Sequence, residues 1–257
     1  MPNNHYISRF LILPWRKAGH PLWHYNFKYK LFSEKKSAER IFAKRNLWSE
    51  NLEKFLQKHT ENFSPDFIQR ISSLEFQPEW PQYKGLFLLT LFQAARVAHF
   101  QTGGSNLETI SVYSEEKIDL LVRAARERKK ICGFRLPSHL RLFFPDTGIF
   151  PFPVNQGGYF EWIFFLPLKG NFCLGLVPNE IDLDRLRDTI NFDELVAWSA
   201  GTPKTCSTIV IHPDLYQEKN QLETFEANIK RCRDYTSNQV DAINRLHSLI
   251  NQVNFWR

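Results

Sequence analysis

The chain is poor in cysteine, the residue whose disulfides stabilise many small or secreted proteins. It has four cysteines in 257 residues, and no two of them are spaced as Cys-x-x-Cys. This scarcity excludes a local zinc or redox motif and indicates a reducing compartment. The first residues lack a basic segment followed by an apolar stretch, so we expect no secretory signal. These absences predict a cytoplasmic protein.

Long apolar runs are missing as well. The longest covers residues 86–100, is interrupted by Gln93 and Arg96, and is shorter than the roughly 20 residues that span a bilayer. We therefore expect no membrane segment. Core-forming side chains are nevertheless plentiful, since 43% of the residues are hydrophobic and 15% are aromatic. This composition excludes a disordered chain.

The first half of the chain changes from a strand pattern to a helix pattern. Residues 5–13 and the alternating run 23–31 flank a turn and predict an N-terminal β-hairpin. Helical periodicity follows over about residues 37–130, where Ser49 and Ser114 are placed to cap helices. A helical insertion is therefore expected after the hairpin.

The second half is expected to be rich in strands, over about residues 131–212. The expected strands are 131–136, 140–144, 159–168, 172–177 and 208–212, with a helix at 183–198 between the last two. An apolar stripe from about residue 237 predicts a C-terminal helix. No linker divides the chain, so we expect one α+β domain over residues 1–257. In it the hairpin joins a mainly antiparallel sheet that packs against the helical insertion and the C-terminal helix.

The charge favours an anionic partner. The formal net charge is +6, which would attract nucleic acid or nucleotides. Five basic residues lie close together at the end of an expected helix: Arg123, Arg126, Arg128, Lys129 and Lys130. They would contact phosphates as a nucleic-acid surface. A solvated helix C-terminus also explains these charges, because cations favour the negative end of the helix dipole.

Two motifs are set aside on chemical grounds. The segment Gly201-Thr-Pro-Lys-Thr is similar to a phosphate loop, but Pro203 has no N–H to offer a phosphate. His212 ends a strand before a proline and is expected to be a turn residue. The aromatic run 23–29 would stack bases if it were exposed, but core burial explains it as well.

Polar residues inside apolar surroundings are the main candidates for a site. Gln93 and Arg96 lie one turn apart in the most hydrophobic helix, so Arg96 is expected to have a polar or acidic partner. Asp146 ends an apolar strand before Thr147-Gly148. Such a carboxylate is either an acid with a shifted pKa or part of an Asx turn.

Short motifs occur along the chain in a definite order. They are Asn4-His5-Tyr6, Leu22-Trp23-His24-Tyr25, Ile41-Phe42-Ala43, Asn46-Leu47-Trp48, Leu52-Glu53, Gln93-Ala94-Ala95-Arg96, Pro145-Asp146-Thr147-Gly148, Phe165-Leu166-Pro167-Leu168 and Ile243-Asn244-Arg245-Leu246. In this order they resemble the bacterial family catalogued as domain of unknown function 4238. The resemblance covers about residues 5–253.

The resemblance implies a common polar cluster, although the family name assigns no activity. The members of that cluster would be His5, Glu53, Gln93, Arg96, Asp146 and Asn244. Two carboxylates and a histidine would bind Mg²⁺ or Mn²⁺ or activate water near a phosphodiester, with Arg96 stabilising the developing charge. The same inventory would also form an inert buried network that positions helices on the sheet.

Two functions follow from these alternatives. The first is an effector that acts on nucleic acid or nucleotides, such as a metal-assisted phosphodiesterase or nuclease. The second is a non-catalytic binding or regulatory protein, which would engage a protein or nucleic-acid partner through the basic helix end or the Gly103-Gly104 loop.

Overall fold

The computed structural model describes residues 3–5, 7, 9–16, 20–35, 41–45, 49–61, 71, 78–102, 113–156, 159–201, 206–215, 227, 229–231 and 234. The strands are β1 (Asn3–His5), β2 (Leu22–Asn26), β3 (Leu31–Lys35), β4 (Ala43–Arg45), β5 (Lys129–Arg135), β6 (Phe144–Pro145), β7 (Phe150–Gln156), β8 (Tyr159–Lys169), β9 (Phe172–Pro178) and β10 (Thr208–Ile211). The helices are α1 (Arg9–Ile12), α2 (Glu50–Leu56), α3 (Trp80–Thr102), α4 (Glu115–Arg126), α5 (Leu183–Thr189) and α6 (Phe192–Ser199). Single turns lie at Leu13–Trp15 and Pro213–Leu215 (3-10) and at Gln57–Glu61 (π).

Two four-stranded antiparallel sheets form the framework. The first has the order β3-β2-β10-β6, and the second has the order β5-β9-β8-β7. β1 pairs separately with β4. Helices pack around sheets whose strands are antiparallel, which confirms the expected α+β class.

The second sheet contributes much of the core. Every residue of β9 is buried, so both faces of that strand are covered. A ring cluster fills the middle, with Phe165 lying 5.1 Å from Phe134 and 5.6 Å from Phe150 between ring centroids. Gly175 lies beneath it, and a Cβ there would come within 2.9 Å of both Phe134 and Phe165. A side chain at this position would displace the rings.

The strands of this sheet agree with the sequence except at one edge. β5, β8 and β9 match their expected positions within about two residues, but no strand was expected at Phe150–Gln156. Pro151 and Pro153 made β7 hard to predict. Proline has no N–H to donate to a neighbouring strand, so its presence argues against a strand. Among the described residues β7 is an edge strand that pairs with β8 alone, and an edge position tolerates both prolines.

The expected strand at residues 5–13 is wrong. Arg9–Ile12 is a helical turn that continues as a 3-10 turn, and Ile7, Leu11, Ile12 and Trp15 are all buried. Their spacing follows a helical period and not the alternation of a strand. An N-terminal hairpin is present, but its strands are β2 and β3 and not the expected segments 5–13 and 23–31. β2 ends at Asn26, and residues 27–30 form the turn.

Helix starts were predicted well. The Ser49 and Ser114 hydroxyls cap α2 and α4 by accepting from backbone N–H groups three residues on, at 3.1 and 3.3 Å. The expected helix at 183–198 is instead two helices, α5 and α6. The Asn191 side chain caps the second one by accepting from the N–H groups of Asp193 and Glu194. Helix α3 confirms the long helix expected after Pro78, and Leu86, Leu88, Leu89 and Phe92 are almost fully buried in it.

Several expectations lie outside the described residues. They are the helix starts near Ser37 and Pro65, the Gly103-Gly104 loop and the helix after residue 237. Among the helices that the structure does describe, none combines the length and the apolar character that crossing a bilayer requires.

A group of ion pairs joins three helical segments at the surface. Glu115, the first residue of α4, accepts from Lys58 Nζ at 2.5 Å and from Lys84 Nζ at 3.0 Å. Lys84, on α3, also lies 2.6 Å from Asp119. The hydrogen bonds from Lys58 and then Lys84 lower the pKa of the Glu115 carboxyl to about 2. The group therefore links α4 to α3 and to the π turn that follows α2.

We expect the contribution of Glu115 to stability to depend on pH. Its folded pKa of about 2 lies below its ordinary value of 4.5, so the contribution is complete above pH 4.5 and is lost as the pH falls toward 2. Glu115→Gln should lower the free energy of unfolding by about 0.5–1 kcal/mol at pH 7, as exposed ion pairs do. Urea unfolding at pH 7, 5, 4 and 3 would measure this difference, which should shrink with acidification.

The neighbouring Glu116→Gln variant is the matched control. Glu116 also lies in the first turn of α4, so both substitutions remove the same favourable interaction with the helix dipole. A Glu115→Gln difference that stays constant across the pH range, or that equals that of Glu116→Gln, would contradict the ion-pair assignment.

Candidate functional site

One of the points at which the chain crosses from one sheet to the other is a tight turn. β6 ends the first sheet at Pro145, and β7 begins the second sheet at Phe150. Residues 145–148, the sheet-crossing turn, are closed by the N–H of Gly148 donating to the carbonyl of Pro145 at 2.8 Å. Gly148 has φ +70°, a left-handed conformation that glycine adopts without steric cost.

Asp146 fastens this turn to the start of β10. Its Oδ2 accepts from the Ser207 N–H at 3.0 Å, the Ser207 hydroxyl at 2.6 Å and the Thr208 N–H at 3.0 Å. The Asp146 N–H donates to the Thr208 carbonyl at 2.9 Å. Four hydrogen bonds thus join residues some 60 positions apart in the chain.

The Asp146 carboxyl is buried, with 8% of the residue exposed. Burial raises the pKa of this carboxyl above its ordinary value, while hydrogen bonds from Ser207, Cys206 and Thr208 act in the opposite direction. Burial prevails because removing a carboxylate from water penalises its charged form. The carboxyl therefore has a perturbed pKa, as expected for a strand-end acid, and also the hydrogen bonds of a turn residue.

Gln93 of α3 reaches the same turn at Gly148. Gln93 is 1% exposed, and its side chain lies directly over Gly148. A Cβ on Gly148 would come within 2.6 Å of the Gln93 Cγ. The central helix α3 and the strand-end aspartate, both singled out from the sequence, therefore converge on the sheet-crossing turn.

Hydrogen bonds continue from this turn to the β2–β3 hairpin. Thr208 Oγ1 accepts from Asn26 Nδ2 at 3.1 Å, and Asn26 Oδ1 accepts from the Tyr29 N–H at 3.1 Å. Asn26 and Thr208 are direct cross-strand partners. The end of the hairpin is thereby connected to Asp146 through two residues.

Of the other predicted residues, Glu53 is described, and the rest are described only in part or not at all. Glu53 belongs to α2, which contacts α3 through Phe55 and Phe92, whose ring centroids are 5.7 Å apart. Phe92 precedes Gln93. The backbones of His5 and Arg96 belong to β1 and α3, but their side chains and all of Asn244 lie outside the described residues. The six-residue cluster therefore stays a prediction.

No metal site is found in the described part of the chain. There, no three histidine, cysteine, aspartate or glutamate side chains come together as a metal would require. Asp146 Oδ2 already accepts three hydrogen bonds. Binding of Mg²⁺ or Mn²⁺ remains an expectation from the sequence.

The five basic residues fall into two groups. Arg123, Arg126 and Arg128, called here the arginine surface, are exposed at the end of α4 and just after it. The guanidinium carbons of Arg123 and Arg126 lie 4.5 and 5.8 Å from the ring centroid of Trp80. Arg126 also lies 5.3 Å from the ring of Tyr83. Two of the three arginines thus rest on aromatic rings of α3.

The two lysines are bound more closely to the protein. Lys130 Nζ donates to the carbonyls of Ile181 at 2.8 Å and Asn179 at 3.3 Å. Burial lowers the pKa of the Lys129 ammonium, although Glu161 and Glu180 act to raise it. The arginines are therefore better placed than the lysines to contact a ligand.

His212 belongs to a turn. Its Nδ1 accepts from the Asp214 N–H at 3.2 Å, and Asp214 Oδ2 accepts from Arg141 Nε and Nη2 at 3.1 and 2.8 Å. A ring nitrogen that accepts a backbone N–H carries no proton, so the neutral ring has its proton on Nε2. This is the turn role that the sequence suggested.

The sequence did not indicate the residues that contact Asp146 or those that contact the arginine surface. Ser207, Thr208 and Asn26 carry no local signal of their connection to Asp146, because the contacts form between strands distant in sequence. Trp80 was also missed, although its position one helical turn from Tyr83 at the start of α3 could have indicated an aromatic ladder. Their rings are stacked, with centroids 6.5 Å apart.

Comparison with known proteins gives no relative. The chain matches none of the protein-family models, curated proteins or solved structures with which it was compared.

We expect Asp146→Ala to destabilise the protein strongly. It removes the acceptor of two backbone N–H groups and a hydroxyl, and each buried unsatisfied group costs about 1–3 kcal/mol. The free energy of unfolding should therefore fall by about 3 kcal/mol or more in urea titration. Asp146→Asn keeps one acceptor oxygen and should cost less at neutral pH.

The sign of the Asp146 pKa shift sets the pH dependence of the Asn variant. With its folded pKa raised, the native protein binds a proton more readily than the unfolded chain, so wild-type stability falls as the pH rises from 3.8 through the folded pKa. Asp146→Asn has no titrating carboxyl at this position, so its free energy of unfolding lacks this pH dependence. The stability advantage of wild type over Asp146→Asn should grow on acidification from pH 7 to pH 4. An advantage that shrinks would mean that the hydrogen bonds outweigh burial.

Gly148→Ala tests the contact between α3 and the sheet-crossing turn. The added Cβ meets the Gln93 side chain and forces a left-handed alanine, so we expect a loss of about 3 kcal/mol. Gln93→Ala in the same background should recover the steric part only. Urea unfolding of the two single variants and the double variant would measure their coupling, and additive losses would contradict the contact.

Proposed function

We propose that this protein binds nucleic acid, with the arginine surface contacting phosphates. The observation that supports the proposal best is the placing of the Arg123 and Arg126 guanidinium groups on the Trp80 ring. The Tyr83 hydroxyl donates to the Lys129 carbonyl at 2.6 Å, which ties the aromatic ladder of α3 to β5. The arginines therefore rest on a fixed base.

Contact with an aromatic ring leaves these arginines able to bind an anion. A cation–π contact depends on the charge of the guanidinium and does not require its five N–H donors. Those donors match the paired oxygens of a phosphate. An arginine held in this way loses less side-chain freedom on binding than one that extends freely into water.

The two ends of α4 differ in how their charges are neutralised. At the N-terminal end, Lys58 and Lys84 pair with Glu115. At the C-terminal end, no carboxylate of the described residues forms an ion pair with the arginine surface. The helix dipole accounts for cations at this end, but it gives no reason for stacking them on Trp80. The excess charge favours a polyanion.

A catalytic role for Asp146 has weaker support. Its Oδ2 is occupied by three internal hydrogen bonds and the residue is buried, whereas a carboxylate that activates water must reach it within hydrogen-bond distance. We therefore favour binding over the metal-assisted phosphodiesterase. A cytoplasmic location, as the sequence suggests, would place the protein among nucleic acids. The resemblance to domain of unknown function 4238 assigns no activity that conflicts with binding.

The double variant Arg123→Gln/Arg126→Gln tests this proposal. Fluorescence anisotropy with RNA and DNA oligonucleotides should be recorded from 50 to 300 mM salt. Losing two phosphate contacts should weaken binding at every sequence and reduce the slope of log K against log salt by about 1.4–1.8. Thermal unfolding of the variant would establish that it is folded.

Lys54→Gln/Arg185→Gln is the matched control, because both side chains are exposed cations on other helices, α2 and α5, and the net charge changes equally. Equal effects of the two double variants would overturn the assignment to the arginine surface. Wild type that binds neither RNA nor DNA at 50 mM salt would overturn the proposed function. Incubation with Mg²⁺ or Mn²⁺ in parallel distinguishes binding from cleavage, and cut oligonucleotides would favour the phosphodiesterase.

A further inference from the structure

The end of the β2–β3 hairpin exposes an aromatic ring between two cations. Residues 28–31, the hairpin tip, are all exposed, with Tyr29 at 68% and Leu31 at 55%. The ring of Tyr29 lies 5.4 Å from Lys28 Nζ, and Lys30 follows it. A tyrosine this exposed contributes little to the core, in contrast to Tyr25 of the preceding strand, which is 5% exposed.

The tip carries a lysine where the backbone favours another residue. Lys30 has φ +48°. This is the left-handed region, which glycine and asparagine adopt readily and which strains most other residues. Residues held in such conformations cluster at functional sites. The conformation turns the chain sharply after Tyr29 and leaves the Lys30 side chain exposed.

Tyr29 is presented by a rigid support. Its N–H donates to Asn26 Oδ1, and Asn26 donates in turn to Thr208 Oγ1. Thr208 and Ser207 are held by the buried Asp146 carboxylate, and the N–H of Phe27 donates to the Ser207 carbonyl at 2.9 Å. The backbone that carries Tyr29 is thus fixed to the sheet-crossing turn. A fixed backbone lowers the entropy lost when the ring binds a partner.

We infer that the hairpin tip binds single-stranded nucleic acid, with an unpaired base stacking on Tyr29 and the flanking phosphates contacting Lys28 and Lys30. This inference rests on the proposed function. An exposed aromatic between cations provides both contacts that single strands use, base stacking and phosphate neutralisation. Bases in a duplex are already stacked on one another, so the tip would discriminate single strands from duplexes.

A lipid surface would use similar residues, but it fits less well. Insertion requires a contiguous apolar face, whereas Leu31 and Tyr29 alternate with Lys28 and Lys30, and the exposed Glu34 lies on the following strand. A membrane would therefore gain little buried apolar area. Single-stranded nucleic acid needs only one ring and adjacent positive charge.

Tyr29→Ala and Tyr29→Phe test the stacking. Anisotropy should be measured with a single-stranded oligonucleotide and with the same sequence as a duplex. Tyr29→Ala should weaken single-strand binding by about 5- to 150-fold, the range for removal of one stacking partner, and leave duplex binding unchanged. Tyr29→Phe retains the ring and should bind as wild type does. Leu13→Ala removes another exposed apolar side chain and should have no effect.

Lys30→Gly separates binding from stability. Glycine relieves the left-handed strain, so the melting temperature should rise, while the loss of one phosphate contact should lower the single-strand salt slope by about 0.7. A purely structural turn would give the rise in melting temperature with no change in binding. Opposite changes in the two measurements are expected only if Lys30 contacts the ligand.

The outcomes distinguish this inference from the proposed function. If wild type binds no oligonucleotide, the proposed function and this inference both fail. If wild type binds and Tyr29→Ala binds single strands equally well, only the hairpin-tip inference is overturned. Binding to vesicles of neutral lipid, with and without phosphatidylserine, is measured as a third test. Loss of vesicle binding by Tyr29→Ala, with oligonucleotide binding unchanged, would overturn the inference in favour of a membrane.

Discussion

The hydrogen bonds of one buried carboxylate hold a turn at which the two sheets are joined. Asp146 holds the turn at which the chain leaves the first sheet and enters the second, and it binds the beginning of the strand at the centre of the first sheet. The Gln93 side chain packs on that turn at Gly148. The central helix and both sheets therefore depend on the geometry of residues 145–148. Three donors on one carboxylate oxygen explain why an acid is tolerated in so apolar a place.

The same anchoring relates the interior to the surface. Hydrogen bonds lead from Asp146 through Thr208 and Asn26 to the exposed Tyr29. Stacked rings lead from Phe87 through Tyr83 to Trp80, which contacts two exposed arginines. In both cases, side chains that could contact a ligand rest on groups fixed by the core. Binding surfaces gain from such support because less freedom is lost on association.

Local chemistry made much of the fold predictable. Ser49 and Ser114 cap helices, and the strands Lys129–Arg135, Tyr159–Lys169 and Phe172–Pro178 follow apolar runs bounded by turn residues. The N-terminal segment was misread because α1 is a single turn, too short for its period to stand out. The sequence indicated which residues to consider but not their arrangement. Gln93 and Asp146 stood out as polar residues in apolar segments, but their approach to one turn depends on pairing between distant strands. The sequence left open whether Tyr29 is buried or exposed, since alternation alone cannot show that the strand ends at Asn26.

The prolines of β7 have a consequence for assembly. The ladder between β7 and β8 is continuous, and since Pro151 and Pro153 cannot donate to it, their missing N–H groups belong to the outward side of the strand. A second chain approaching this edge would find two gaps in the row of donors that strand addition requires. This side of the sheet is therefore a poor template for intermolecular β-pairing, although its strand is rich in phenylalanine and valine and would otherwise be prone to aggregate.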